Sequence, residues 1–261
     1  MKMKILVVTA ECGEAQFKEQ IQQLKDQKNV SITHKIISGL SLEDSQTMIY
    51  KICFQNRKSD YNFIVKLDGD MLFKDNLSLM KMCTHAMDVG KPRVTFKVFD
   101  YYTNRPINGI HFLVPEYIPE QRPIHVYRND YWIETIQGKN TTSYANEILH
   151  GFNSTLEQCE RFGKSRGIKA RGDGPNSSHW RTIYFLNKSA FYPQIKPDLI
   201  VALESALKHA EIFDIRKINQ LNSPINKFEF FYYHYKKYLK IAPTLIHLFK
   251  TVYLEIKYER K

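Results

Sequence analysis

The chain has four cysteines, Cys12, Cys53, Cys83 and Cys159, and no two of them are close in sequence. That spacing excludes a Cys-x-x-C zinc or redox pair and provides no disulfide framework, so the thiols are expected to be reduced, as in a cytosolic protein. No stretch of about 18 consecutive apolar residues occurs, so no membrane-spanning helix is expected. The first strand begins almost at once, which leaves no room for a signal peptide, and the expected compartment is the cytoplasm. Neither G-x-G-x-x-G nor a P-loop signature follows any expected strand, which argues against a dinucleotide fingerprint and against a P-loop NTPase.

What the sequence has in excess is positive charge, +11 over 261 residues. An anionic partner fits that balance: nucleotide phosphate, a membrane surface or nucleic acid. Much of the charge lies in Arg161 to Arg171 and in the last thirty-odd residues.

The most informative stretch is Tyr61 to Phe73. Phe63 to Leu67 is apolar apart from Lys66, the pattern of a buried strand in a largely parallel sheet, and it runs directly into Asp68-Gly69-Asp70. A half-buried carboxylate needs a cation or a metal. Two aspartates one residue apart can share a hard divalent ion, with Gly69 letting a ligand approach the backbone. Such an ion keeps open positions for water or phosphate, so the stretch reads either as a Mg2+ or Mn2+ site that grips a diphosphate or as a polar turn. Lys66 must find an anion or emerge at the ligand-binding edge.

Upstream, Lys4 to Thr9 is a second buried strand ending at Ala10-Glu11. Phe17, Ile21 and Leu24 recur at helical spacing, Val30 to Ile37 alternates like a strand, and Ser41 can cap a helix carrying Met48, Ile49, Ile52 and Cys53. The order is β-α-β-α-β, in which ligands bind outside the carboxyl ends of the strands. Glu11 and the aspartate pair both fall at that edge. Phosphatases of the haloacid dehalogenase type carry their Asp-x-Asp after the first strand, whereas this pair follows the third.

Beyond the pair, the pattern predicts a helix over 76–90, a strand from Arg93 to Phe99, a strand from Asn108 to Val114 and a helix start at Pro115. Residues 119–140 are polar and aromatic and read as a flexible lid or acceptor loop. The block Leu149-His150-Gly151-Phe152 leads to a helix capped by Thr155. That helix is expected to give way after Gly163 and Gly167 to a short strand or turn over 168–171, before His179-Trp180.

In order and spacing, residues 3–185 resemble the nucleotide-sugar glycosyltransferases of GT-A fold, above all the broad family 2 group. The resemblance rests on the β-α-β-α-β start, Ile64-Val65-Lys66-Leu67-Asp68-Gly69-Asp70, the Gly109 strand and the His150-Gly151-Phe152 block running into an acidic helix. It implies a mixed, mostly parallel α/β sheet flanked by helices, with a nucleotide-binding half (1–100) and an acceptor-binding half (101–222). It also implies transfer of a sugar from a nucleoside-diphosphate donor with Mn2+ or Mg2+ held by Asp68 and Asp70. Ala10 and Glu11 would lie near the base and ribose, and His179 would be the third metal ligand, with His150 as the alternative. Glu157 would be the general base on the acceptor hydroxyl, although the family's commonest pattern has two adjacent acids where this chain has Glu157-Gln158. Arg161, Lys164, Arg166, Lys169 and Arg171 would neutralise the leaving diphosphate, or they form a solvated basic helix face.

The composition shifts at 223–261, where seven aromatic residues between Phe228 and Tyr238 interleave with lysines before an apolar helical stripe from Leu245 to Ile256. This helical appendage suits an anionic membrane at which a lipid-linked acceptor of surface-polysaccharide assembly is met, or it packs on the catalytic domain or a second subunit. Two other classes compete: a nucleic-acid-binding protein, favoured by charge and aromatics but lacking any recognised motif, and a metal-dependent nucleotidyltransferase, whose Gly-rich basic loop is missing.

Overall fold

The computed structural model describes residues 2–123, 131–143, 147–173, 178–191 and 194–210. The appendage at 223–261, and the loop residues His125 and Tyr127, lie outside the described residues.

The chain opens with β1 (Met3–Glu11), α1 (Phe17–Lys25), β2 (Val30–Ser38), α2 (Leu42–Gln55), β3 (Phe63–Asp68), β4 (Met71–Phe73) and α3 (Ser78–Val89). It continues through β5 (Arg93–Asp100), β6 (Arg105–Leu113), a 3-10 turn at Pro115–Tyr117, α4 (Tyr131–Glu134), β7 (Lys139–Ser143) and β8 (Ile148–His150). Three helices follow, α5 (Leu156–Asp173), α6 (Ser178–Phe191) and α7 (Pro197–His209).

The fold is the mixed α/β class expected. Strands lie in the order β2-β1-β3-β6-β5-β8-β4, with β7 also pairing β5. β1 runs parallel to β2 and β3, and β6 runs antiparallel between β3 and β5. β8 is parallel to β5 and antiparallel to β4. Two consequences decide where a site can form. The carboxyl ends of β1 and β3 lie side by side, with Ala10 opposite Asp68. β8 ties the end of β5 to the start of β4, so that His150 stands opposite both Asp100 and Met71.

Both faces of the sheet are covered, which is why its central strands read as continuous apolar runs. Alternation along β1 sends Ile5 and Val7 into a core with Leu24, Leu79 and Met82, while Leu6 and Val8 face Ile49, Cys53 and Trp132 on the other side. Trp132 is wholly buried and stacks edge-on to Tyr50. The described part of the expected lid is therefore core and strand: Trp132, Ile133 and Ile136 plug the second core and Lys139–Ser143 joins the sheet. Polar composition around a few large side chains concealed their burial.

α5 is longer than expected, running unbroken through Gly163 and Gly167. A Cβ on Gly163 would sit 1.9 Å from the Ala202 carbonyl oxygen, and one on Gly167 would sit 2.3 Å from that of Ala206. α5 and α7 thus pack main chain against main chain. Each glycine gives up roughly 0.5–1 kcal/mol of helix propensity in exchange for that approach.

Burial governs the thiols. Cys53, Cys83 and Cys159 are fully buried, and desolvation pushes each up to about 12. Cys12, half-buried, is also raised by desolvation. A raised thiol stays protonated, hence unreactive, below its folded value. At pH 8 the native protein is expected to expose only Cys12 to a thiol-specific dye, and that slowly, while all four react in denaturant. Rapid native labelling of two or more thiols would contradict this core.

Candidate active site

A cleft of about 670 Å³ opens at the carboxyl ends of β1 and β2, lined by Glu11, Glu14, Asp70 and Tyr102 and by Arg161 and Arg166 of α5. Its acidic part is built on the turn between β3 and β4. Strand alternation puts Lys66 and Asp68 on one face, and the buried Lys66 Nζ donates to Asp68 Oδ1 at 2.7 Å. The lysine that interrupts the apolar strand has found its anion, while the Asp68 side chain stays 43% exposed.

The turn itself is pinned from α1. The buried Gln20 amide donates to the carbonyls of Asp68 (2.6 Å) and Met71 (2.8 Å). Gly69 is needed for close approach: a Cβ there would stand 3.0 Å from Glu14 Oε2 and 3.3 Å from the Ala10 carbonyl. Glu14, three residues beyond Glu11, therefore packs against the aspartate turn. Burial raises the Glu14 carboxyl above its ordinary range, opposed by the Cys12 N–H bonded to it at 2.6 Å and reinforced by Asp70. Glu11 turns back to accept the Gly13 N–H at 2.6 Å.

Asp70 faces the cleft, its side chain 15% exposed. Burial raises its carboxyl, with nearby Asp68 and Asp100 acting in the same direction and His150 against it. His150 Nε2 stands 3.4 Å from Asp70 Oδ2, and His150 Nδ1 stands 2.6 Å from Asp100 Oδ1. Burial disfavours the imidazolium, but these carboxylates outweigh it and lift His150 to about 9. Asp100 is wholly buried, and its other oxygen accepts the N–H and hydroxyl of Thr103. Gly151 follows with φ +68°, and a Cβ there would lie 2.3 Å from the Tyr102 ring. Its N–H donates to the Asp70 carbonyl at 3.2 Å, tying the His-Gly-Phe block to the aspartate turn.

α5 is fastened to the loop after β1. Arg161 donates to the carbonyls of Cys12 and Gly13. Gln158 accepts the N–H groups of Ala15 and Thr155 at 3.1 Å each and donates to Gln16 at 2.9 Å. Gln158 is thus a buried crosslink between the start of α5 and the loop after β1. Phe162 stacks on Tyr102 at 3.9 Å, and the Arg166 guanidinium lies 4.9 Å over the Phe162 ring.

Of the residues singled out in the sequence, Ala10, Glu11, Lys66, Asp68, Asp70 and His150 meet at this edge. Three lie on the helices that follow. Glu157 projects from the first turn of α5 with its side chain 80% exposed, 3.9 Å from Arg161. Lys169 lies on α5, and His179 lies in the first turn of α6. Among the described residues, no three His, Cys, Asp or Glu side chains are already grouped as a metal-ligand set. Sequence reasoning missed Glu14, Asp100 and Tyr102. Asp100 ends a strand at a turn, a signal that could have been used. Glu14 carries no periodic signal at all.

No known protein family matches the chain by sequence, and no curated protein does. Among solved structures, a mannosyltransferase from Pyrobaculum calidifontis in complex with GDP-Man and Mn2+ is similar over 96% of this chain and 88% of that one, at 11% identity and a TM-score of 0.46. A protein from STIV matches over 55% of this chain and 82% of its own, with 11% identity and a TM-score of 0.41. A glycosyltransferase involved in glycosylation of the major capsid of PBCV-1 matches over 59% and 96%, with 12% identity and a TM-score of 0.38.

Proposed function

We propose that the chain is a metal-dependent glycosyltransferase that moves a sugar from a nucleoside-diphosphate donor to a glycan or lipid-linked acceptor, in the assembly of a surface polysaccharide. The observation that carries this reading is the cleft itself: the carboxylates of Glu11, Glu14 and Asp70 and the guanidinium groups of Arg161 and Arg166 line one cavity of about 670 Å³ at the carboxyl edge of an α/β sheet.

The donor set fits a hard divalent ion. The Asp68 side chain is 43% exposed, and Asp70 opens on the cleft. Burial makes the Asp70 charge costly, and a cation relieves that cost. Asp68 and Asp70 would hold Mn2+ or Mg2+. When bound, the ion supplies electrostatic stabilisation to a departing diphosphate.

The chain's own residues do the rest. Lys66 and Gln20 fix the turn, so that the carboxylates are oriented before ligand arrives. Arg166, held over Phe162, offers positive charge to the same cleft, where a phosphate chain would meet it. Arg161, bonded to the Cys12 and Gly13 carbonyls, keeps the loop after β1 at a fixed distance from α5. Glu11 and Ala10, at the end of β1, lie where a nucleoside would be received. The reading takes no general base from Glu157, whose carboxylate faces solvent.

The test is thermal denaturation with each common nucleoside diphosphate, with and without Mn2+. One of them should stabilise the full chain only when Mn2+ is present, and Asp68→Ala should remove that gain. The reading fails if no nucleotide stabilises the protein under either condition, and retention on a nucleic-acid column at physiological salt would then favour the competing class.

A further inference from the structure

We propose that Phe152 is the platform on which the acceptor stacks, and that the acceptor is therefore a pyranose-bearing saccharide held by the C–H face of a sugar ring. The inference rests on the transferase reading above and deepens it, adding to the donor cleft a place for the second substrate.

Phe152 is large, apolar and 42% exposed. A phenyl group left so far in water gains little from folding, yet its backbone is held more firmly than a surface loop requires. Gly151 and Asn153, on either side of it, are both left-handed, at φ +68° and +58°. The Phe152 carbonyl accepts the side-chain amide of the buried Gln16, whose own oxygen accepts from the Gln158 amide at 2.9 Å. Ser154 Oγ donates to the Gly151 carbonyl at 2.9 Å and meets the Tyr102 hydroxyl at 2.7 Å. Left-handed backbone at a residue other than glycine persists only where its surroundings hold it, and such positions gather at ligand sites. What this turn accomplishes is to present one aromatic ring to the outside.

The place where it does so is adjacent to the aspartate turn. The Gly151 N–H donates to the Asp70 carbonyl at 3.2 Å, so Phe152 directly follows the residue tied to that turn. An acceptor must rest where its hydroxyl can reach a donor sugar whose diphosphate is held there. A sugar lying on Phe152 is beside that place.

The surroundings of the ring favour a saccharide over an acyl chain. Phe152 stands edge to face with Tyr101, at 6.0 Å and 87°, which leaves at least one face of the phenyl ring unstacked by that neighbour. The Tyr101 hydroxyl donates to Asp198 at 3.0 Å, and the Lys196 ammonium lies 4.9 Å over the Tyr101 ring. Asn153, next in the chain, is exposed. A flat apolar ring set among amide, carboxylate and ammonium groups suits a molecule with one C–H face and a rim of hydroxyls. An acyl chain would be matched by continuous aliphatic surface.

The experiment is saturation-transfer NMR of the full chain with the methyl glycosides of glucose, galactose, mannose and N-acetylglucosamine, each titrated to obtain its affinity. At least one is expected to receive saturation on the C–H protons of one ring face, whether or not Mn2+ and nucleoside diphosphate are present. Phe152→Tyr should keep that contact, whereas Phe152→Ala and Phe152→Leu should each weaken it by about tenfold or more. Leu156→Ala, which removes another exposed apolar side chain four residues on, should leave it unchanged. Absence of saturation from all four glycosides in wild type overturns the platform, and that measurement needs no variant to fold. Contact that survives Phe152→Ala also overturns it, as does contact that survives Phe152→Leu, since leucine retains apolarity without a flat ring. Stabilisation by nucleoside diphosphate and Mn2+ without any glycoside contact ends this inference and leaves the transferase reading standing. Glycoside contact through Phe152 in a chain that no nucleotide stabilises ends the transferase reading, and the acceptor role with it.

Discussion

Gly163→Val is expected to remove at least ~3 kcal/mol of stability and most of the soluble protein, beyond the ~1–3 kcal/mol typical of an overpacked core. The first added carbon would already lie 1.9 Å from the Ala202 carbonyl oxygen and 2.8 Å from the carbonyl carbon. Both are backbone atoms of α7, so no rotamer change can clear the space, and the helices must separate. Gly167, one turn on, meets Ala206 and Ala210 in the same way, so separation at one position loosens both. Gly39→Ala serves as the contrast. Gly39 has φ +72° but nothing within 4 Å of an added Cβ, so its cost is only the left-handed backbone, about 1–2 kcal/mol. Urea unfolding of Gly163→Ala, Gly163→Val and Gly39→Ala should rank them with Gly163→Val worst and Gly39→Ala mildest. If Gly163→Ala proves as mild as Gly39→Ala, α5 and α7 are not in main-chain contact.

That helix pair also marks where local sequence stops being a guide. Two glycines four residues apart among arginines and lysines read as the end of a helix, because propensity penalises glycine in isolation. Tertiary contact reverses the sign, since the missing side chains are what the partner backbone occupies. The β-α-β-α-β start was legible because each element carries its own period, and Asp68-Gly69-Asp70 was legible because charge at the end of an apolar strand needs a reason. The surroundings of that turn were not. Ile148–His150 is a three-residue strand with no period to detect, and only its pairing with both β4 and β5 brings His150 between Asp70 and Asp100. Glu14 reaches the site by packing against Gly69, a contact between a loop and a turn that no spacing encodes. Gln158 is a further case. A position read as a departure from an acidic pair is a buried amide whose donor and acceptor are both used.

Under the proposed function, Asp70→Asn is expected to abolish Mn2+-dependent stabilisation by nucleotide and to reduce sugar transfer by about 10²–10³-fold, the range for loss of one preorganised electrostatic element. The fold itself should be nearly indifferent when metal is withheld. Asp70 lies close to the carboxylates of Asp68, Asp100 and Glu14, and burial already disfavours its charge. The amide keeps the shape and relieves that repulsion, and it also deprives His150 of one of its two counter-ions. These effects oppose each other, so the melting temperature in EDTA should stay within a few degrees of wild type. Saturating Mn2+ and nucleotide separates the two proteins. A ligand at about a hundred times its dissociation constant adds ~2.7 kcal/mol to the wild type and nothing to a variant that cannot bind it. A variant that melts normally in EDTA yet transfers sugar at the wild-type rate would deprive Asp70 of its role. One that unfolds in EDTA would show that the turn exists for stability. The expected combination, intact without ligand and inert with it, arises only where a buried charge is kept in spite of its energetic cost because a cation is to meet it.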